Sequence, residues 1–138
     1  MNGFIIPAEI TIFIFMSVKT CLIVDDSAFQ RKTLEYCVSK AGFSPIVKSS
    51  GQEALEACSK SFPDCVLLDW EMQEMNGMEF LKLFRQMEGG EDIPVIICTS
   101  HEHPSFIGHA YLNGANGYIT KPITHDNLKR ELSKIGIL

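Results

Sequence analysis

No run of lysine or arginine in this chain is long enough to follow a phosphate backbone. Acidic residues outnumber basic ones, 17 against 12, for a formal net charge of -5. Direct nucleic-acid binding is therefore disfavoured. No C-x-x-C pair occurs either: Cys21, Cys37, Cys58, Cys65 and Cys98 are scattered singly, four of them inside apolar or helical patterns. Such spacing argues against a cysteine-ligated metal and for reduced, core-filling thiols in a cytoplasmic protein. Neither G-x-G-x-x-G nor G-x-x-x-x-G-K-[ST] is present, which removes the two common phosphate-cradling loops and, with them, a nucleotide or flavin site of that kind. Internal repeats, low-complexity tracts and linkers rich in proline, glycine or serine are absent as well. What remains is one domain, because 138 residues should bury about two thirds of the surface exposed by the unfolded chain.

Nor does any apolar run reach the length of a bilayer span. The opening "GFIIPAEITIFIFM" is interrupted by Pro7 and Glu9 and is too short to cross. No basic stretch precedes it and no small-residue cleavage site follows, so a secretory signal is poorly supported and no membrane partner is expected. Residues 10–15, "ITIFIF", either add a β-strand to this chain or a neighbouring one, or the natural start is Met16. Both readings divide the chain into an N-terminal extension, 1–17, and a domain over 18–138.

From residue 20 onward, apolar runs of strand length alternate with longer stretches of helical period, the pattern of a parallel sheet with helices on both faces. Strands are expected over 20–25, 44–48, 64–69, 93–99 and 117–120. The runs "CLIV", "CVLL" and "VIIC" are continuously apolar, as strands covered on both faces should be. Helix starts are marked by Ser27 with Gln30 and by Ser50 with Glu53, both of capping-box form. The first helix should turn Leu34, Tyr36, Cys37 and Val38 to the sheet and stop at Gly42, and the second should bury Ala54, Leu55 and Cys58. A third opens near Gly77 with Phe80, Leu81, Phe84 and Met87 on one stripe. The fourth, from His103 to Leu112, is weakened by Gly108. The last runs from Thr124 to Ile135 and ends the chain, so no effector domain is expected after it.

In sheets of this kind ligands bind beyond the carboxyl ends of the strands. The first strand ends in Asp25 and Asp26, the third in Asp69 and the fourth in Thr99, while the fifth leads into Lys121 and Pro122. Two carboxylates about 4 Å apart repel by about 4 kcal/mol at an effective dielectric near 20, so the cluster calls for a cation. Magnesium suits it, taking oxygen ligands and keeping several waters. Asp26 and Asp69 would ligate directly and Asp25 through water, with the backbone carbonyl of Glu71 completing the set. Magnesium beside Lys121 and Thr99 points to a visiting phosphoryl group, and Asp69 is the carboxylate placed to attack it.

The segments "LIVDDS", "VLLDWEMQEMNGMEF", "VIICTS" and "GYITKP" resemble the signature of two-component response-regulator receiver domains, across about residues 18–138. The resemblance implies a flavodoxin-like (βα)5 fold, a doubly wound parallel sheet of order 2-1-3-4-5. It also implies a magnesium ion and phosphotransfer from a histidine kinase or histidine phosphotransfer protein to Asp69, with slow self-hydrolysis and no other enzyme activity. Thr99 and Tyr118 match the family's switch pair, and the output surface would be the face of the fourth helix, fifth strand and fifth helix, meeting an unidentified downstream protein. This chain departs from the pattern at Gln73, where receivers commonly carry proline, which implies a less rigid loop. Glu71 and His101 stand where the family tunes the access of hydrolytic water, and Ser100 replaces a smaller residue.

Other readings stay open on the sequence alone. A magnesium-dependent aspartyl-nucleophile phosphatase would need an aspartate at position 71, where Glu71 stands, and a cap domain; a pseudo-receiver would keep the fold and never take up phosphate. His101 and His103 in "HEH" read as a helix start rather than a metal pair. Trp70 reads as an aromatic flanking the site, and Phe29 either docks a phosphodonor or packs in the ordinary way.

Overall fold

The computed structural model describes residues 3, 5–11 and 18–138. Five strands, β1 (Thr20–Val24), β2 (Ser44–Lys48), β3 (Cys65–Asp69), β4 (Val95–Thr99) and β5 (Gly117–Thr120), form one parallel sheet in the order β2-β1-β3-β4-β5. They alternate with α1 (Ala28–Lys40), α2 (Gly51–Lys60), α3 (Gly77–Gln86), α4 (Pro104–Leu112) and α5 (His125–Lys134), and a short 3-10 turn, Gly90–Asp92, follows α3. This is the flavodoxin-like order expected. β3 and β4 are buried along their whole length, whereas the edge strand β2 is only half covered.

Two apolar layers enclose the sheet. Leu34, Cys37 and Val38 of α1 and Leu128 and Leu132 of α5 pack on one face, while Ala54 and Cys58 of α2, Phe80, Leu81 and Phe84 of α3 and Ala110 of α4 pack on the other. Tyr36, expected to face the sheet, is 64% exposed and lies under the Lys40 ammonium. It sits two positions from Leu34, which on a helix turns it to the opposite side. Phe29 is exposed too, so the packing reading of that residue fails. All five cysteines are free and buried; burial pushes the Cys58 thiol up to about 11 and raises Cys98 and Cys37, while Cys21 is raised first by its bond with Cys65 and then by burial.

Local signals behave as the sequence suggested, with one adjustment. Ser27 and Ser50 accept the amides of Gln30 and Glu53 at 3.3 and 3.2 Å, but neither box closes: the Ser27 amide donates to Asp25 Oδ1, and the Glu53 carboxylate turns back to Ser49, not to the amide of Ser50. Full capping boxes stand instead at Asn76 with Glu79 and at Thr124 with Asn127. α1 ends where Gly42 takes a φ of 95°, a left-handed turn open to glycine. His103 caps α4, its ring accepting the Ser105 amide at 3.2 Å, which is the helix-start role expected.

Arg85, on α3, carries a connection that no motif announced. Its guanidinium donates to the carbonyls of Gly90 at 2.5 Å, Ile93 at 2.7 Å and Gly114 at 2.6 and 3.1 Å, and to Asn116 Oδ1 at 2.9 Å. The same Asn116 oxygen accepts the amide of Val95, the first residue of β4. One planar cation thus ties α3 to the segments entering β4 and β5.

At the N-terminus, residues 8–11 form a helical turn in which the amides of Ile10 and Thr11 both reach the Pro7 carbonyl at 3.0 Å. Ile10 and Thr11 are therefore not in a strand; the rest of the expected "ITIFIF" strand and Met16 lie outside the described residues. Among the described residues no helix is long and apolar enough to cross a membrane.

Candidate functional site

Strand register brings the chemistry together. Val24 pairs with Leu68, Asp69 with Cys98 and Thr99 with Thr120, so Asp25, Asp69, Thr99 and Lys121 all fall at the carboxyl edge of the sheet. Carboxylate oxygens of Asp25, Asp26 and Asp69 lie within 4.8 Å of one another, which among the described residues is the one cluster suited to a metal ion.

Asp25 is fully buried. Its Oδ1 accepts the Ser27 amide at 2.8 Å and its carbonyl accepts Arg31 at 2.9 Å, yet its buried Oδ2 has no partner among the described residues. Asp26 is exposed, and its Oδ2 accepts the amide of Gln73 at 3.1 Å. A proline at position 73 has no N–H to give, so the family departure supplies a tie between the loops after β1 and β3. Asp69 is 2% exposed, and its Oδ1 accepts the Lys121 ammonium at 2.7 Å and the Glu71 amide at 3.3 Å.

The expected site residues are thus assembled. Glu71 was expected to offer its carbonyl to the metal and to stand where hydrolytic water is controlled; its side chain in addition bonds to the end of β4. Thr99, buried at the end of β4, donates its hydroxyl to Glu71 Oε1 at 2.5 Å, and the Ser100 amide reaches the same oxygen at 3.1 Å. Lys121 lies 3.6 Å from Glu71 Oε2, and His101 Nε2 lies 3.7 Å from Oε1. His101 in turn stacks on Phe106, with centroids 5.1 Å apart. Tyr118 is half-buried on β5 beside Ile97, against the layer that contains α3 and α4. Since alternate residues of a strand share a face, Thr99 lies on the face of Ile97 and one step along from Tyr118.

The geometry tests whether a hard cation fits. An orphaned, buried carboxylate oxygen amid three aspartates is the donor chemistry of magnesium, which binds through oxygen and keeps part of its water shell. The electrostatics agree: burial chiefly, with the field of Asp69, pushes the Asp25 carboxyl up to about 6, partly opposed by the Ser27 amide and Lys121. For Lys121, burial pulls the ammonium down, but its bond to Asp69 and the fields of Asp69, Asp25 and Glu71 outweigh it and leave it raised.

A pH dependence follows. Without a cation, the folded chain holds the Asp25 proton to about pH 6, whereas the unfolded chain releases it near 3.8. The folded state binds more protons across that window, so Asp25 removes stability as pH rises through it, by roughly 3 kcal/mol. Urea unfolding in chelator should therefore show Asp25→Asn gaining on the wild type between pH 4.5 and pH 7, with magnesium closing the gap at pH 7. A difference between the two chains that stays constant with pH would refute the assignment.

Behind the acceptor, Trp70 is buried and its carbonyl accepts the Gly77 amide at 3.1 Å. A Cβ at Gly77 would stand 2.6 Å from the Trp70 ring, 2.8 Å from its Cα and 2.9 Å from the Asp69 carbonyl, two of them backbone atoms that cannot swing aside. Gly77→Ala should cost about 1–3 kcal/mol, read as a lower urea midpoint.

A five-stranded sheet of this order, with its acidic edge answered by the lysine just past β5, is the arrangement that the receiver resemblance implied. Residues 21–133 match the response regulator receiver domain, and the chain belongs to that family. It is 34% identical over 116 residues to a chemotaxis protein CheY homolog of Campylobacter jejuni, covering 83% of this chain and 89% of that protein. It is 36% identical over 115 residues to chemotaxis protein CheY-3 of Vibrio cholerae, covering 83% and 88%. In three dimensions it is similar to the solved chemotaxis protein CheY4 of Vibrio cholerae, with a TM-score of 0.82 at 27% identity over 86% of this chain and 99% of that one.

Proposed function

We propose that this chain is a stand-alone, cytoplasmic receiver, residues 18–138 with an extension over 1–17, that accepts a phosphoryl group on Asp69 from a phosphohistidine. The donor would be a sensor histidine kinase or a histidine phosphotransfer protein. The observation that carries the reading is the buried Asp69 carboxylate with the Lys121 ammonium at 2.7 Å, beside an acidic pair with an orphaned oxygen.

In the transfer, an Asp69 carboxylate oxygen forms a bond to phosphorus as the P–N bond breaks. The leaving imidazole keeps that electron pair. A magnesium ion held by Asp26 and Asp69, by Asp25 through water and by the Glu71 carbonyl would offset the repulsion of the aspartates and of the incoming oxygens. Lys121, paired with Asp69 at rest, is placed to neutralise a phosphoryl oxygen, and the Thr99 hydroxyl to donate to another. The phosphoryl group adds roughly two negative charges at the end of β3, beside the end of β4 and so toward the face of α4, β5 and α5. Thr99 and Tyr118 share a side of the sheet there, which supports their role as the relay to an unidentified protein partner. The phosphatase alternative wants an aspartate where Glu71 stands, and the Glu71 carboxylate is already bonded to Thr99.

Incubation of the purified chain with magnesium and acetyl phosphate, followed by intact-mass spectrometry, tests the proposal. One hydroxylamine-labile phosphoryl group is expected. A chain that binds magnesium and stays unmodified by acetyl phosphate and by phosphorylated kinase alike would be a pseudo-receiver.

A further inference from the structure

The Glu71 side chain stands where an arriving phosphoryl group would need to be. One of its oxygens takes the Thr99 hydroxyl at 2.5 Å and the Ser100 amide at 3.1 Å, both from the end of β4. The other faces the Lys121 ammonium, just beyond β5, at 3.6 Å. A hydroxyl, a backbone amide and an ammonium converging from two strands form a donor set for an anion, and here a carboxylate from the loop after β3 fills it. The backbone of the same residue donates to Asp69 Oδ1 at 3.3 Å, which fixes the root of the side chain beside the acceptor.

We propose that Glu71 is a built-in stand-in for the phosphoryl group, a gate that occupies the anion site at rest and must swing out when Asp69 is modified. The inference rests on the phosphoacceptor reading above and adds to it a residue that sets the threshold for modification. Phosphorylation then exchanges one Thr99–anion bond for another, so its net gain is smaller than the new bonds alone would give. The way out is already present. A cleft of about 530 Å³ opens beside Glu71, lined by Trp70, Asn76, Met78, His101, Phe106 and His109. His101, 3.7 Å from Oε1 and braced on Phe106, offers the displaced carboxylate its next partner. Glu71 is 32% exposed at its side chain, so the swing needs no opening of the core.

The test compares wild type, Glu71→Gln and Glu71→Ala with two readouts: binding of beryllofluoride with magnesium, followed by Trp70 emission, and uptake of phosphate from acetyl phosphate, followed by intact mass. Glu71→Ala should bind the analogue and take up phosphate about tenfold more readily, the worth of one charge-assisted hydrogen bond no longer displaced. Glu71→Gln keeps the shape and loses the charge, and should fall between. The advantage of Ala over Gln should survive high salt, because it comes from vacating the site rather than from a screened field. Urea midpoints close to wild type would show that folding is not the cause. Equal or weaker binding and uptake in Glu71→Ala overturns the gate and leaves the phosphoacceptor reading standing. If no variant binds the analogue or takes up phosphate, both fall together.

Discussion

Asp69→Asn should give a folded chain that takes up no phosphoryl group, while the wild type gains one. The substitution removes the anionic oxygen that would attack phosphorus and leaves an amide, a far poorer nucleophile, of nearly the same shape. The amide oxygen can still accept the Lys121 ammonium and the Glu71 amide, the two bonds that Asp69 Oδ1 makes now. Stability should not suffer either. The field of Asp69 helps to raise the Asp25 carboxyl, so losing one charge from the cluster eases the ionisation of Asp25. In chelator at pH 7, the urea midpoint of Asp69→Asn is expected at or above that of the wild type. Loss of uptake together with an unchanged or higher midpoint separates missing chemistry from missing structure. A variant that still gains a single hydroxylamine-labile phosphoryl group would place the acceptor elsewhere.

The other large effect is expected far from the acidic edge. Arg85→Ala should lower stability by about 2–4 kcal/mol, since a partly buried cation then ceases to satisfy three carbonyls and a side-chain oxygen. Each such bond to a charged donor contributes about 1.5–3 kcal/mol when well shielded, and water replaces some of that at the partly open positions. Arg85→Lys should recover less than half, because one ammonium cannot span the carbonyls of Gly90, Ile93 and Gly114 together. Urea unfolding of both variants decides it: a loss under about 1 kcal/mol for Arg85→Ala would mean that the fork decorates these loops without holding them.

Arg85 also marks where sequence reasoning stops. Its partners are mainly backbone carbonyls, which every residue has, so no pattern of side chains distinguishes them in advance. The strands were legible because β1, β3 and β4 are covered on both faces and read as unbroken apolar runs. The site was legible because parallel register puts the residue ending each strand on one edge; Asp25, Asp69 and Thr99 needed only that rule. Glu71 was legible as a position and not as a gesture. A carbonyl ligand and a part in controlling hydrolytic water were expected of it, but which way its side chain turns depends on Thr99 and Lys121, 28 residues or more away in the chain. Gln73 shows the same limit. Read as the loss of a rigid proline, it proves to be the gain of an N–H that holds Asp26. Tyr36 was misassigned because it follows Leu34 within an apolar stretch whose inward stripe is narrow, and aromatic character alone did not say which side it takes.

The buried thiols have a practical consequence. Cys21, Cys37, Cys65 and Cys98 lie in the layer under α1 and α5, and Cys58 in the layer opposite. Alkylating reagents and oxidants need a thiolate they can touch, and the folded chain offers them almost none. Adduct formation can begin only once helices have lifted from the sheet, so the rate at which the chain is labelled becomes a clock for its own opening, wound by whatever tightens or loosens the acidic edge.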